Sequence, residues 1–217
     1  MNKTAIIIGA TGLVGSKLLQ QLLADDVFAT VKIFVRKSTG IYHLKLEEHI
    51  INFDELAAVK SLVTGDVLFS CIGTTLKQAG SKDKQFKVDF TYQYEFAQAA
   101  SENRVPAYVL ISSASADASS MLFYTKIKGQ LEDAVKKLDF DKTIIIQPSV
   151  LEGDRNDERM GEKLGASIIN GLGKILPFLI KYRSISGEQV AKAMIHSYKE
   201  PGESRVMTKK LGELFVD

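Results

Sequence analysis

The sequence predicts an α/β domain built on a doubly wound, mostly parallel sheet with helices on both faces. Three observations carry that expectation. Short runs of apolar and β-branched residues alternate with stretches of helical periodicity as far as Pro148. Strands that alternate with helices pair in parallel through right-handed crossovers. The first run, Thr4 to Ile8, lacks a polar face, as a strand covered on both sides requires. Directly after it comes Gly9-Ala10-Thr11-Gly12-Leu13-Val14-Gly15, three glycines spaced by three at the first strand-to-helix turn.

The remaining elements follow in order. A helix is expected from about Leu13 to Leu23. Val31 to Val35 and His49 to Phe53 read as the second and third strands, with a helix from about Asp54 to Leu62. Asp66 to Ile72 is the fourth strand. Lys84 to Glu102 places Phe86, Phe90, Phe96, Ala97 and Ala100 at helical spacing. Pro106 leads into a fifth strand, Ala107 to Ile111; Leu122 to Lys137 reads as a helix and Lys142 to Gln147 as a sixth strand. Beyond Pro148 the alternation loosens. Arg159 to Gly171 and Gly187 to Lys199 look helical, and Arg205 to Thr208 reads as a last strand. With no repeat, low-complexity tract or linker, residues 1–217 read as one domain. A small substrate-side segment, mainly 151–217, is expected over the cleft at the carboxyl ends of the strands.

Composition narrows the function classes. Hydrophobic residues make up 45% and charged residues 25%, which excludes disorder as the default. Lys and Arg number 28 against 26 Asp and Glu, so there is no electrostatic footprint for nucleic acid. No stretch reaches the ~18–20 apolar residues of a membrane helix; the apolar segment Ile175 to Ile180 is short and holds Pro177. Cys71 is the one cysteine, which fits a reducing compartment. The apolar run near Met1 enters a glycine loop instead of a cleavage site. The expectation is a cytoplasmic monomer or homodimer with no nucleic-acid or membrane partner. His43, His49 and His196 are scattered, with no ligand spacing around them, so no metal is expected.

The glycine loop points to a dinucleotide. Gly9 permits a tight turn, Gly12 lets backbone approach a diphosphate, and Gly15 lets the helix pack close to the strand. The N–H groups and positive dipole end of the helix then face the anion. Thr11, Leu13 and Val14 complete the cradle. An acid at the end of the second strand would bind the ribose hydroxyls of NAD. Here that strand ends Phe34-Val35-Arg36-Lys37-Ser38, with no carboxylate. Arg36 and Lys37 put two positive charges where NADP(H) carries its 2′-phosphate, so NADP(H) is preferred over NAD(H). Ser38 or Thr39 would add hydroxyl contacts.

Tyr124-Thr125-Lys126-Ile127-Lys128 places a phenol and an ammonium four residues apart, on one helical face. An ammonium favours the phenolate form of a neighbouring tyrosine. The phenol can then exchange a proton with a carbonyl or alcohol oxygen while a nicotinamide moves hydride. Ser112 and Ser113 end the fifth strand at the same edge of the sheet, and either hydroxyl would hold the reacting oxygen.

Together these stretches resemble the atypical short-chain dehydrogenase/reductases, and within them the Tat-interacting protein (oxidoreductase) group. The likeness covers about Thr4 to Arg155. It rests on Gly9 to Gly15, Cys71-Ile72-Gly73-Thr74-Thr75, Lys87-Val88-Asp89, Ser112 to Asp117, Tyr124 to Gly129, and Pro148 to Leu151 with Asp154-Arg155. The resemblance implies a Rossmann sheet and a catalytic Ser113, Tyr124 and Lys128, with Lys128 also holding the nicotinamide ribose. It implies that Cys71, Ile72, Gly73 and Thr74 lie along the cofactor with Ser112. Phe53 and Asp54 would flank the adenine, and Pro148, Ser149 and Val150 would border the nicotinamide. Two departures stand out: the family's asparagine in the fourth helix has Asp89 as its nearest counterpart, and its R-P-G reads Gln147-Pro148-Ser149. The function implied is hydride transfer between NADPH and a small carbonyl or alcohol. Epimerase or dehydratase chemistry would use the same groups. The competing class is an NADPH-holding redox sensor with little turnover.

Overall fold

The computed structural model describes residues 2–149, 151–152, 185–202 and 204–211. The strands are β1 (Lys3–Ile8), β2 (Phe28–Val35), β3 (Leu46–Ile50), β4 (Val67–Ser70), β5 (Ala107–Ile111), β6 (Lys142–Gln147), β7 (Leu151–Glu152), β8 (Ile185–Ser186) and β9 (Val206–Lys210). Seven form one sheet in the order β3-β2-β1-β4-β5-β6-β9, and every pairing is parallel. β7 and β8 form a separate parallel pair. The chain winds outward from β1 through β2 to β3, then restarts at β4 on the other side of β1. That reversal between β1 and β4 is the switch point at which such sheets open a cleft.

The absence of a polar face on the first strand is explained by what covers it. Ala5 and Ile7 face one core with Leu18 and Leu22 of α1 (Leu13–Ala24). Ile6 and Ile8 face a second core with Phe96 and Leu131. All four strand residues are fully buried. The second core is closed by α4 (Tyr92–Glu102) and α5 (Phe123–Val135). Ahead of α4 lie two short helices, α2 (Leu76–Ala79) and α3 (Lys82–Phe86), and a π-helical turn, Lys87–Thr91, that joins α3 to α4.

Residues 185–211, expected on the substrate side, supply scaffold. α6 (Gly187–Lys199) buries Val190 and Met194 in the core it shares with α1, and β9 extends the sheet beside β6. Ser186 and Gln189 close a reciprocal capping box at the start of α6, satisfying donors that a helix end leaves open. The helix expected over Arg159 to Gly171, with Asp154, Arg155 and Ile175 to Ile180, lies outside the described residues.

Two expectations are corrected. The third strand is Leu46–Ile50, not His49 to Phe53, because its register pairs Leu46 with Val31 and Ile50 with Val35. It is an edge strand reading Leu-Glu-Glu-His-Ile, so its apolar signal is weak. The stronger apolar signal at Ile51 and Phe53 belongs to residues that turn into the core just after it. The helix expected from Asp54 to Leu62 is two short 3-10 segments, Phe53–Ala58 and Lys60–Leu62.

Two positions test the packing. A Cβ on Gly15 would lie 2.0 Å from the Gly9 carbonyl oxygen, so Gly15→Ala is expected to lower stability by about 2 kcal/mol or more, read from the urea midpoint. The buried Gln147 amide donates to both oxygens of the buried Glu132 carboxylate, at 2.9 and 3.1 Å. Gln147→Leu removes that donor and is expected to cost about 1–3 kcal/mol in the same measurement, while Gln147→Leu with Glu132→Leu recovers much of the loss.

Candidate functional site

The glycine loop is shaped by contacts that leave no room for side chains. Gly9 has φ of +84°, and a Cβ there would sit 2.6 Å from the backbone of Cys71 and Ile72. The turn therefore presses against the chain leaving β4, and only glycine combines that φ with that approach. Gly12 donates its N–H to the Gly9 carbonyl at 3.0 Å and is the N-cap of α1. No side chain caps this helix, and no acidic residue stands in its first turn. The N–H groups of Leu13, Val14 and Gly15 belong to the first turn, which has no intrahelical acceptors for them. An uncapped helix start at the sheet switch point, approached through backbone alone, fits a diphosphate. Thr11 lies exposed on the crest of the loop.

A cleft opens beside this helix start. Leu13 and Val14 form one wall, and Cys71, Ile72, Gly73 and Thr74 form another as the chain leaves β4. Ile111 and Ser112 come from the end of β5, Tyr124 and Lys128 from the first turns of α5, and Leu151 from β7. Tyr124 and Lys128 share the cleft because four residues return a helix to the same face. The loop before α5 is tied to it by the Asp117 N–H, which donates to the Thr125 carbonyl at 3.1 Å.

Of the two serines, Ser112 lines the cleft, and Ser113, the expected catalytic serine, is not among the lining residues. Ser112 continues the ladder of β5, donating its N–H to the Ile146 carbonyl at 2.8 Å. Its side chain thereby faces the cleft, where its hydroxyl is buried without a hydrogen-bond partner among the described residues. The residue is 4% exposed. Ser113 has left the ladder: its carbonyl accepts from the Ala116 N–H and its Oγ lies 3.0 Å from Ser115 Oγ.

Asp89 is the site residue that the sequence reading left without a role. It occupies the π-helical turn, is fully buried and lines the cleft. Its carboxylate accepts the Thr74 N–H at 3.2 Å and stands 3.8 Å from the Lys128 ammonium, whose side chain is 5% exposed. The signal for it was present: Gln85, Asp89 and Gln93 recur every four residues on the buried side of a helix otherwise lined with Phe and Ala. Cys71 is a packing residue. Burial pushes its thiol up, against the pull of Lys128, which keeps it protonated.

The adenosine end is arranged differently from its sequence expectation. Arg36 and Lys37 are exposed beyond β2. Ser38 and Thr39 do not offer their hydroxyls outward: both donate to Glu48 of β3, Ser38 Oγ at 2.6 Å, and the Thr39 N–H adds a third bond at 2.8 Å. These bonds hold the Glu48 carboxyl below its ordinary range, the Ser38 hydroxyl contributing most. Phe53 is a core residue packed against Tyr92 and Phe96. Asp54 pairs with Lys87 at 2.7 Å and accepts from the Tyr92 hydroxyl. Both lie off the described lining of the cleft. Pro148 is buried and off the described lining of the cleft, its carbonyl taking the Ala114 N–H at 3.0 Å; Ser149 follows it, and Val150 lies outside the described residues.

Comparison with known proteins agrees with this geometry. The model of the NAD(P)H-binding family matches residues 9–201. The protein named "FMP52, mitochondrial" of Debaryomyces hansenii is 36% identical over 208 residues, covering 91% of this chain and 88% of that protein. Its namesake in Chaetomium globosum is 32% identical, covering 94% and 90%. Among solved structures, a short chain dehydrogenase family protein from Francisella tularensis superposes with a TM-score of 0.68 at 14% identity, covering 99% of each chain. UDP-glucose 4-epimerase from Thermotoga maritima superposes with a TM-score of 0.67 at 10% identity, covering 95% of this chain and 76% of that one. The mitochondrial names of the fungal relatives overturn the expectation of a cytoplasmic protein. A single cysteine records only that no disulfide is needed within the chain, which is a constraint on redox chemistry and not an address. A glycine loop closed on the β4 exit, an uncapped helix start at the switch point and a match along most of the chain converge on one assignment: this protein belongs to the NAD(P)H-binding family and has the Rossmann fold shared by short-chain dehydrogenases and epimerases.

Proposed function

We propose that the protein is an NADP-preferring oxidoreductase that moves hydride between NADPH and a small carbonyl or alcohol. The observation that carries this reading is the meeting of Tyr124, Lys128 and the buried Ser112 hydroxyl in one cleft, next to the helix start that fits a diphosphate. Leu13, Val14 and Gly15 would hold the diphosphate through backbone N–H groups, and Lys128 the ribose beside the nicotinamide. When bound, the nicotinamide supplies or receives the hydride at the substrate carbon.

The chain's own groups manage the oxygen. Ser112 donates its hydroxyl to the substrate oxygen and fixes its position, which satisfies a buried group that lacks a partner among the described residues. Tyr124 gives its phenolic proton to that oxygen during reduction and takes it back during oxidation. Lys128 stabilises the phenolate that results. Leu13, Val14, Ile72, Ile111 and Leu151 give the cleft apolar walls, which exclude water around the transfer.

Preference for NADPH rests on Arg36 and Lys37. With Ser38 and Thr39 bonded to Glu48, recognition of a 2′-phosphate falls to the two cations. Two outcomes are expected. In a fluorescence titration NADPH binds at least ~10-fold tighter than NADH, and Arg36→Ala removes most of that difference while leaving NADH affinity unchanged. Equal affinities in the unsubstituted protein would sink the phosphate argument. With NADPH and a panel of aldehydes and ketones, Tyr124→Phe lowers turnover by about 100-fold or more without loss of NADPH binding. A protein that binds NADPH tightly but turns over no carbonyl, with or without Tyr124, is the sensor and not the enzyme.

A further inference from the structure

The Lys128 ammonium shares its cleft with Tyr124 and with an acid. A fully buried carboxylate stands 3.8 Å from the ammonium. That distance is an ion pair and is longer than a hydrogen bond. The same carboxylate receives the Thr74 N–H through both oxygens, at 3.2 and 3.4 Å. Asp89 thus touches two elements at once: the loop leaving β4 and the lysine of α5. Its own backbone is held from a third, since Gln93 donates to the Asp89 carbonyl at 2.8 Å and accepts from Ser70 of β4 at 2.8 Å. A π-helical turn places it there. Such turns insert an extra residue into a helix and re-aim the side chains around it.

We infer that Asp89 is a positioning residue: its carboxylate holds the Lys128 ammonium and the Thr74 loop in one arrangement and offsets part of the ammonium's pull on Tyr124. The inference rests on the proposed pairing of Tyr124 with Lys128. A bare ammonium beside a phenol favours the phenolate strongly; a carboxylate close behind that ammonium weakens the effect. Other charged groups around the pair are already engaged. Glu132, one turn further along α5, is held by Gln147 and lies 3.7 Å from Lys136. Asp117, on the loop before α5, is bonded by Ser119. Lys82 sits over the Phe123 ring. Cys71 stays protonated, because burial pushes its thiol up. Among the described residues, Asp89 is the acid that pairs with Lys128.

The test needs neither substrate nor cofactor. The chain has 7 tyrosines, so the phenolate absorbance of Tyr124 is isolated as the difference between each protein and its Tyr124→Phe counterpart across a pH titration. Asp89→Asn keeps an acceptor for the Thr74 N–H and removes only the charge. The Tyr124 curve is expected to move to lower pH, by on the order of one pH unit. Asp89→Glu, which keeps the charge, is expected to titrate close to the unsubstituted protein. Where Asp89→Asn does not fold, as judged by circular dichroism, Asp89→Ser serves with the same expectation. An unmoved curve, or one displaced to higher pH, in a folded charge-removing variant overturns the inference. Such a failure leaves hydride transfer standing, and failure to find turnover leaves the titration result standing, so the two readings are separable.

Discussion

The contact between the first turn of α1 and the Gly9 carbonyl fixes the rest of the molecule. Gly15 lies so close to that carbonyl that no side chain fits between them. Because the helix starts hard against the end of β1, its first residues, Leu13 and Val14, line the cleft. Because Gly9 turns with positive φ, the chain leaving β4 can lie against it, and Cys71 to Thr74 become a wall of the cleft. Parallel pairing then delivers β5 and α5 to the same edge, which brings Ser112, Tyr124 and Lys128 within reach of that helix start.

Much of this was legible in the sequence, for physical reasons that differ by element. β5, β6 and α6 have the bounds that their patterns predict, because their apolar residues face cores and their ends carry clear punctuation: Pro106, Pro148 and the Ser186 cap. The edge strand β3 was misplaced by three residues, since an edge needs no apolar run and its neighbours Ile51 and Phe53 do carry one. Spacing alone put Tyr124 and Lys128 on one face. It could not choose between Ser112 and Ser113, because that choice depends on where the β5 ladder stops pairing with β6. The partners of Glu48 and Asp89 were not legible, although the recurrence of Gln85, Asp89 and Gln93 every four residues marked Asp89 itself. Each acts on groups that lie far off in sequence, and only the fold brings them together.

The buried polar groups are unevenly distributed. They gather on the side of the sheet covered by α4 and α5, as Ser70, Gln93, Asp89, Lys128, Glu132 and Gln147. The α1 and α6 side holds an almost purely apolar core. One face is thus a packed support and the other a polar framework, and the framework runs from the interior of β4 to the cleft. Buried polar groups are costly unless paired, and paired ones specify a single arrangement more sharply than apolar contacts do. Sited behind the cleft, they keep its side chains in one geometry.

The turn after β2 carries a different consequence. Its hydroxyls are committed to Glu48, which leaves Arg36 and Lys37 as its outward-facing groups. A hydroxyl reads a phosphate at contact distance and ignores the surrounding ions. An exposed guanidinium or ammonium reads it through a field that decays over about 8 Å at physiological ionic strength. On the proposed preference for NADPH, discrimination between two dinucleotides that differ by one phosphate would be graded by the salt around the protein, not fixed by shape, and would sharpen as the medium becomes more dilute.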